Sequence, residues 1–333
     1  MKNTLITVFF TLTSCIFLII LLVYSKDCIS LASNGLLIWF NTMIPSLFPF
    51  MVLSGFMVRS GLSLKIGQWL QPFLGIFFRL PSHMLYVIFM GFLCGFPMGA
   101  KIVTDMLEKE QITVKEGEYL LAFCNNIGPL YLLGYVIPLF NYTSPWLILG
   151  LMYFIPFGYG LFLRYIGTYK YTLSNIGKNN GLINKPLLSA CAYKTVQAKN
   201  TNYLYCFQES LSSAIEQITM LGGCMIFFNC LLIFPQILGT VLSKNTTTIY
   251  SPLLTAILSS LIEIGGGLQQ LSENFSYLFV ILSLLTFGGL SCITQTYFII
   301  KNTGLKISTY IKHKLIQSCI YIILLNLFLM LPH

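Results

Sequence analysis

Long apolar runs separated by short polar connections set the pattern of this chain. Seven runs, at 4–24, 36–58, 119–140, 146–163, 211–237, 275–300 and 315–331, reach 17 residues or more. Each is long enough for a helix to cross hydrocarbon about 30 Å thick. Two further runs, 84–100 and 252–268, are interrupted. The first carries Gly91, Gly95, Pro97 and Gly99, and the second carries Gly265, Gly266 and Gly267 beside Glu263. Glycine and proline weaken helices. Irregular backbone at membrane depth survives only inside protein or against a wet cavity. Both runs are therefore expected to form hairpins or half-helices.

The order of these elements repeats. Helix 36–58, an amphipathic basic stretch from Ser63 to Leu80, broken run 84–100 and helix 119–140 make the first set. Helix 211–237, a short linker, broken run 252–268 and helix 275–300 make the second, offset by roughly 165–175 residues. If the broken runs re-enter without crossing, a path starting with Lys2 in the cytoplasm leaves only Lys26 and Lys244, of 19 Lys and Arg, on the outside. Cytoplasmic loops carry the excess of basic residues, so the bias favours this path, with or without the 165–209 loop. On it the two sets run in opposite directions. The expected fold is an all-α polytopic membrane protein with two inverted-topology repeats and re-entrant or broken hairpins. Its expected divisions are an N-terminal transmembrane helix (1–25), a first repeat with flanking helix (26–164), a cytoplasmic linker (165–209) and a second repeat with C-terminal helix (210–333). Leu12-Thr13-Ser14-Cys15 matches a lipoprotein cleavage box, but hydrocarbon continues to Tyr24, so the first segment reads as a helix.

Composition agrees. Hydrophobic residues make up 56% and charged residues 9%, where a soluble domain carries about a quarter charged. The net charge of +9 comes from residues placed between apolar runs, which points to a lipid bilayer and away from nucleic acid. The ten cysteines include no CxxC and sit mostly in apolar runs, so neither a disulfide framework nor a metal site is expected. His83, His313 and His333 form no helical pair. Without HExxH, GxSxG, a P-loop or a GxGxxG after a strand, and with Asp27 and Asp105 the only aspartates, neither an enzyme nor a bound cofactor is expected.

Polar groups within apolar segments are costly and mark functional candidates. Asn125 and Asn126, beside Gly128-Pro129, are candidate substrate hydrogen-bonding groups. Ser291, Thr294 and Gln295 occupy the equivalent place in the second half. Lys101 and Gly99, at the end of the first broken run, are candidates for contact with an anion at a half-helix N-terminus. Glu263 is a candidate coupling acid. The mixed cluster of Asp105, Glu108, Glu110, Glu116 and Glu118 with Lys109 and Lys115 reads as a solvated cytoplasmic helix pair.

Several stretches carry a family resemblance. They are Asn34-Gly35-Leu36 to Trp39, Pro45-Ser46-Leu47-Phe48-Pro49-Phe50, Gly91 to Lys101, Glu118 to Asn126, Leu261 to Gly267, and Ser283 to Gln295. Over about residues 30–330 the chain resembles the YlbJ (SpoVV) sporulation integral membrane proteins, in the wider group bearing the nucleoside-recognition (Gate) domain label. The glycine triplet departs from the polar residue that the family pattern leads one to expect there. The resemblance implies a secondary transporter that moves dipicolinic acid across the outer forespore membrane during sporulation. A nucleoside or ion permease, and a non-transporting scaffold or channel subunit, are the alternatives. Homo-oligomeric assembly is left open.

Overall fold

The computed structural model describes residues 2–167, 169, 202–245, 250–273, 275 and 277–330, and every regular element among them is helical. Most of the expected 165–209 linker lies outside the described residues. In the first half, α1 (Lys2–Val23) leads into α2 (Ser25–Ile38), a π turn (Trp39–Met43) and α3 (Ile44–Arg59). There follow α4 (Leu62–Phe78), α5 (Ser82–Cys94), α6 (Met98–Glu108) and α7 (Val114–Cys124). The stretch Pro129–Tyr131, Leu132–Val136 and Ile137–Leu139, together α8, precedes α9 (Pro145–Tyr165). The second half holds α10 (Tyr203–Cys230), α11 (Ile233–Asn245), α12 (Tyr250–Ile262) and α13 (Ile264–Ser272). It ends with α14 (Leu278–Phe287), α15 (Gly289–Ile300) and α16 (Ile307–Met330).

The order of elements recurs. A long helix (α2–α3, then α10) is followed by a shorter one (α4, α11) and a broken pair (α5–α6, α12–α13). A second broken pair (α7–α8, α14–α15) and a closing long helix (α9, α16) complete each set. At about 1.5 Å per residue, α5 with its 13 residues spans about 20 Å and α6 with 11 about 16 Å, so neither alone crosses the hydrocarbon. Five helical stretches among the described residues are long and apolar enough to cross a membrane: Ser25–Arg59, Val114–Leu139, Pro145–Tyr165, Tyr203–Val241 and Leu278–Ile300. The chain is a multi-pass helical membrane protein. Two broken spans are the most buried: the apolar windows of Val114–Leu139 and Leu278–Ile300 are 72% and 61% buried, against 28%, 33% and 44% in Ser25–Arg59, Pro145–Tyr165 and Tyr203–Val241. Helices with unsatisfied backbone are thus shielded by intact ones, as lipid requires.

The helix ends are closed by side chains. Arg164 donates from Nε to the Phe78 carbonyl at 3.1 Å, and Tyr165 OH to Phe77 at 2.6 Å, which caps α4. Lys109 Nζ caps α3 through the Val58 carbonyl at 2.9 Å. Cations at helix C-termini also favour the macrodipole.

Several expectations need correction. The apolar helix expected at 36–58 begins at Ser25. The single helix expected at 211–237 starts at Tyr203, within the expected linker, and breaks between Cys230 and Ile233. Pro235 lies in the first turn of α11, where its missing N–H costs little, whereas inside a continuous helix it would orphan a carbonyl. The mixed cluster around residues 105–118 is not a uniformly solvated pair: Asp105 and Glu116 are buried. Asp105 pairs with Lys101, and Glu116 closes a capping box with Thr113, accepting from its backbone N–H at 2.7 Å.

Candidate functional site

The turn joining α5 to α6 runs through Gly95, with φ +88°, and a cis Phe96–Pro97 bond. It seats directly on the gap between α7 and α8. A Cβ on Gly99 would stand 2.5 Å from the Cys124 carbonyl oxygen and 2.8 Å from Asn125 Cα, so only glycine lets α6 approach this closely. The Ala100 N–H donates to Asn125 Oδ1 at 3.3 Å. The N-terminus of α6 is thereby closed by the protein's own amide.

Both asparagines are fully buried and engaged internally. Asn125 Nδ2 donates to Thr296 Oγ1 on α15 and to the Tyr310 hydroxyl on α16, each at 3.1 Å. Asn126 Nδ2 donates to the Phe123 carbonyl at 2.6 Å, while Gln317 Nε2 reaches the Ala122 carbonyl at 2.7 Å. Two of the orphan carbonyls at the end of α7 are satisfied in this way. Asn126 Oδ1 accepts from Lys314 Nζ at 2.8 Å.

Lys314 departs from expectation. The charge count assigns it to a cytoplasmic loop, yet it is completely buried within α16. Its Nζ lies 5.2 Å from the Phe96 ring centroid and 5.9 Å from that of Tyr310. The only ion pair among the described residues joins Lys101 and Asp105 at 2.7 Å, so Lys314 has no carboxylate at ion-pair distance there. Lys101 already has one.

In the second half, Glu263 is buried and caps α13. Its Oε2 accepts from the Gly266 N–H at 2.7 Å and from Asn229 Nδ2 on α10 at 3.1 Å. This half-helix N-terminus is occupied by the chain's own carboxylate. Gln295 Nε2 donates to Ser291 Oγ at 3.0 Å, both buried on α15, and Thr294 is half-buried.

The four breaks meet. A Cβ on Gly288, between α14 and α15, would stand 3.3 Å from the Phe96 ring of the first hairpin. Tyr135 OH of α8 donates to the Gly265 carbonyl of the second hairpin at 3.2 Å. One small cavity lies at the junction, lined by Phe96, Ile127 and Gly128 from the first half and Glu263, Cys292 and Gln295 from the second.

The chain is similar to the sporulation integral membrane protein YlbJ of Bacillus subtilis (strain 168), 26% identical over 309 residues, covering 86% of this chain and 74% of that protein. That likeness supports the YlbJ family. No family model matches the chain, and no solved structure matches it.

The departure from the YlbJ-like pattern at the glycine triplet has a local explanation. The space that a side chain on Gly266 would take is filled by the Asn229 amide, which also lies 2.7 Å from where a Cβ on Gly35 would stand. A polar group is present, supplied from α10. The cavity beside it measures about 30 Å³. That volume suits water, which needs about 10–15 Å³ by the same measure. Pockets for small organic ligands run from about 300 Å³. The space at the junction is too small for such a ligand as it stands.

Proposed function

We propose that the chain is a secondary transporter of a small organic anion. The observation that carries this reading is the convergence of all four backbone breaks, two from each half, on one buried polar junction. Transporters place their sites where discontinuous helices of two repeats meet near the bilayer midplane. We read the two element sets as inverted repeats, with α5–α6 and α12–α13 re-entering from opposite faces. The small cavity then corresponds to an occluded state, and substrate enters only when one set rocks against the other.

Dipicolinate is the substrate we favour, moved across the outer forespore membrane from mother cell toward forespore. That choice rests on the YlbJ likeness and on the buried Lys314 amine, which has no carboxylate at ion-pair distance among the described residues. Gln295, on the cavity wall, is the candidate side chain best placed to meet substrate. Asn125, Asn126 and Gly99 hold the junction in shape, and Lys101 is neutralised by Asp105 at one end of α6. Glu263, which also lines the cavity, is the group we assign to proton coupling.

The test uses purified full-length protein in liposomes, with dipicolinate, picolinate and uridine offered separately and in competition. Saturable dipicolinate uptake that picolinate inhibits weakly is expected. Uridine uptake without dipicolinate uptake would replace this reading with a nucleoside permease. Folded protein that binds none of the three would favour a membrane scaffold, because a transporter gains stability from its ligand by mass action.

A further inference from the structure

We infer that Lys314 is the counter-charge for a carboxylate of the transported anion, kept apart from the central cavity by the Phe96 ring until that ring moves. The inference deepens the transport reading and rests on it. An ammonium group has three N–H donors. One of those of Lys314 goes to Asn126 Oδ1 at 2.8 Å, and the Phe96 and Tyr310 rings flank the group. A neutral amide and two aromatic faces moderate the charge. They do not cancel it, and burying an ion without an opposite charge costs several kcal/mol. A purely structural role would be met as well by a neutral side chain donating to Asn126. When protonated, Lys314 therefore gives the junction a cation with no carboxylate at ion-pair distance among the described residues.

Phe96 connects this cation to the cavity. It lines the cavity together with Glu263 and Gln295, and it also lies beneath the Lys314 ammonium. It sits on the turn after Gly95, packed against the place where Gly288 lacks a side chain. A rearrangement of either break shifts this ring, because both breaks touch it. Once the ring moves, the ammonium faces the cavity. Glu263 also lines the cavity, already committed to Gly266 and Asn229. An anion entering between them is drawn toward α16 and repelled from α13, so one carboxylate settles on Lys314. A second carboxylate on the same ring then meets the neutral amide of Gln295. Recognition therefore requires at least one carboxylate, and the site prefers aromatic carboxylates to uncharged analogues of the same shape.

The experiment compares dipicolinate, picolinate and the uncharged pyridine-2,6-dicarboxamide on full-length protein in liposomes. Lys314→Gln is expected to weaken both carboxylates by about ten-fold or more, equivalent to about 1.4 kcal/mol, and to leave the diamide within about two-fold. Lys314→Arg, which keeps the charge, should retain the preference for carboxylates. Asn126→Asp puts a carboxylate against the ammonium while removing the donor to the Phe123 carbonyl, so the folded variant should lose dipicolinate binding whatever its melting temperature. Folded Lys314→Gln with the wild-type preference for dipicolinate over the diamide overturns this inference and leaves the transport reading intact. If Lys314→Gln does not fold, wild-type dipicolinate affinity in Asn126→Asp overturns it equally. Wild-type protein that is folded and binds none of the three compounds overturns the transport reading, and this inference with it.

Discussion

Glu263 has two proposed duties, and a pair of substitutions separates them. Glu263→Ala removes the acceptor that holds the buried Gly266 N–H at 2.7 Å. An orphaned buried donor costs about 1–3 kcal/mol, a range that already contains the usual worth of a helix N-cap. Lost volume adds to this: at about 24 cal/mol per Å³ of unrelaxed cavity, a gap of ~40 Å³ costs on the order of 1 kcal/mol. The sum is roughly 2–4 kcal/mol, which lowers an unfolding midpoint by about 3–6 °C in a chain of this size. Glu263→Gln should behave differently. Its side-chain oxygen still accepts from Gly266, and its amide can donate to Asn229 Oδ1, which accepts no hydrogen bond among the described residues. We expect a loss below about 1 kcal/mol, as for a polar exchange that leaves no donor orphaned. The assay is thermal unfolding of detergent-purified variants followed by size exclusion, with transport measured across pH for those that remain folded. An Ala variant as stable as wild type would refute the capping account. If Glu263 also couples protons, the Gln variant binds dipicolinate normally but its transport no longer follows pH. Wild-type pH dependence in that variant rules the coupling role out.

Two further outcomes follow from the packing and the charge pattern. Gly99→Ala drives a methyl group to 2.5 Å from the Cys124 carbonyl oxygen, so α6 must withdraw from the α7–α8 gap. Overpacking of this kind costs about 1–3 kcal/mol, and the melting temperature should fall, while Gly134→Ala, where a Cβ meets nothing within 4 Å, should leave it unchanged. In a cysteine-free background, single cysteines at 26 and 244 should react with an impermeant reagent from one side. Cysteines at 59–82, 101–118 and 301–306 should react from the other. Opposite sidedness of 59–82 and 101–118 would exclude the re-entrant path for α5–α6.

Much of the architecture is legible in the sequence because run length and Gly/Pro interruptions report directly on bilayer physics. The apolar runs at 119–140 and 146–163 lie close to the helical spans Val114–Leu139 and Pro145–Tyr165, and the breaks at 95–97, 125–128, 263 and 288 all fall at Gly- or Pro-containing stretches. Proline alone misleads: Pro49 and Pro156 sit inside α3 and α9, while Pro235 marks a true break. The difference lies in whether neighbouring helices re-satisfy the freed carbonyl, and a run of apolar letters does not report that. Thr113-Val114-Lys115-Glu116 is a readable capping box, yet the surrounding charges invite a solvated reading.

The site is harder to read because a count by loop sorts its key residue by the wrong rule. Such a count places every lysine flanking an apolar run in water, and Lys314 immediately precedes the run at 315–331. Helical periodicity gives a different answer. Tyr310, His313, Lys314, Gln317, Ser318 and Tyr321 fall at spacings of three and four, one face of a helix. All six are buried in the structure, whereas Lys312, on the opposite face, is exposed. Each of the six bonds to another part of the chain: Tyr310 to Asn125, His313 to Tyr159, Lys314 to Asn126, Gln317 to Ala122, Ser318 to Ser283 and Tyr321 to Leu151 and Met152. Lys314 lies seven residues past the start of α16, about 10 Å along its axis, too deep for a side chain held by Asn126 to snorkel outward. A polar stripe continuing across the boundary of an apolar run is thus the signal that distinguishes a buried cation from an interfacial one, and it places the charge of this junction on α16.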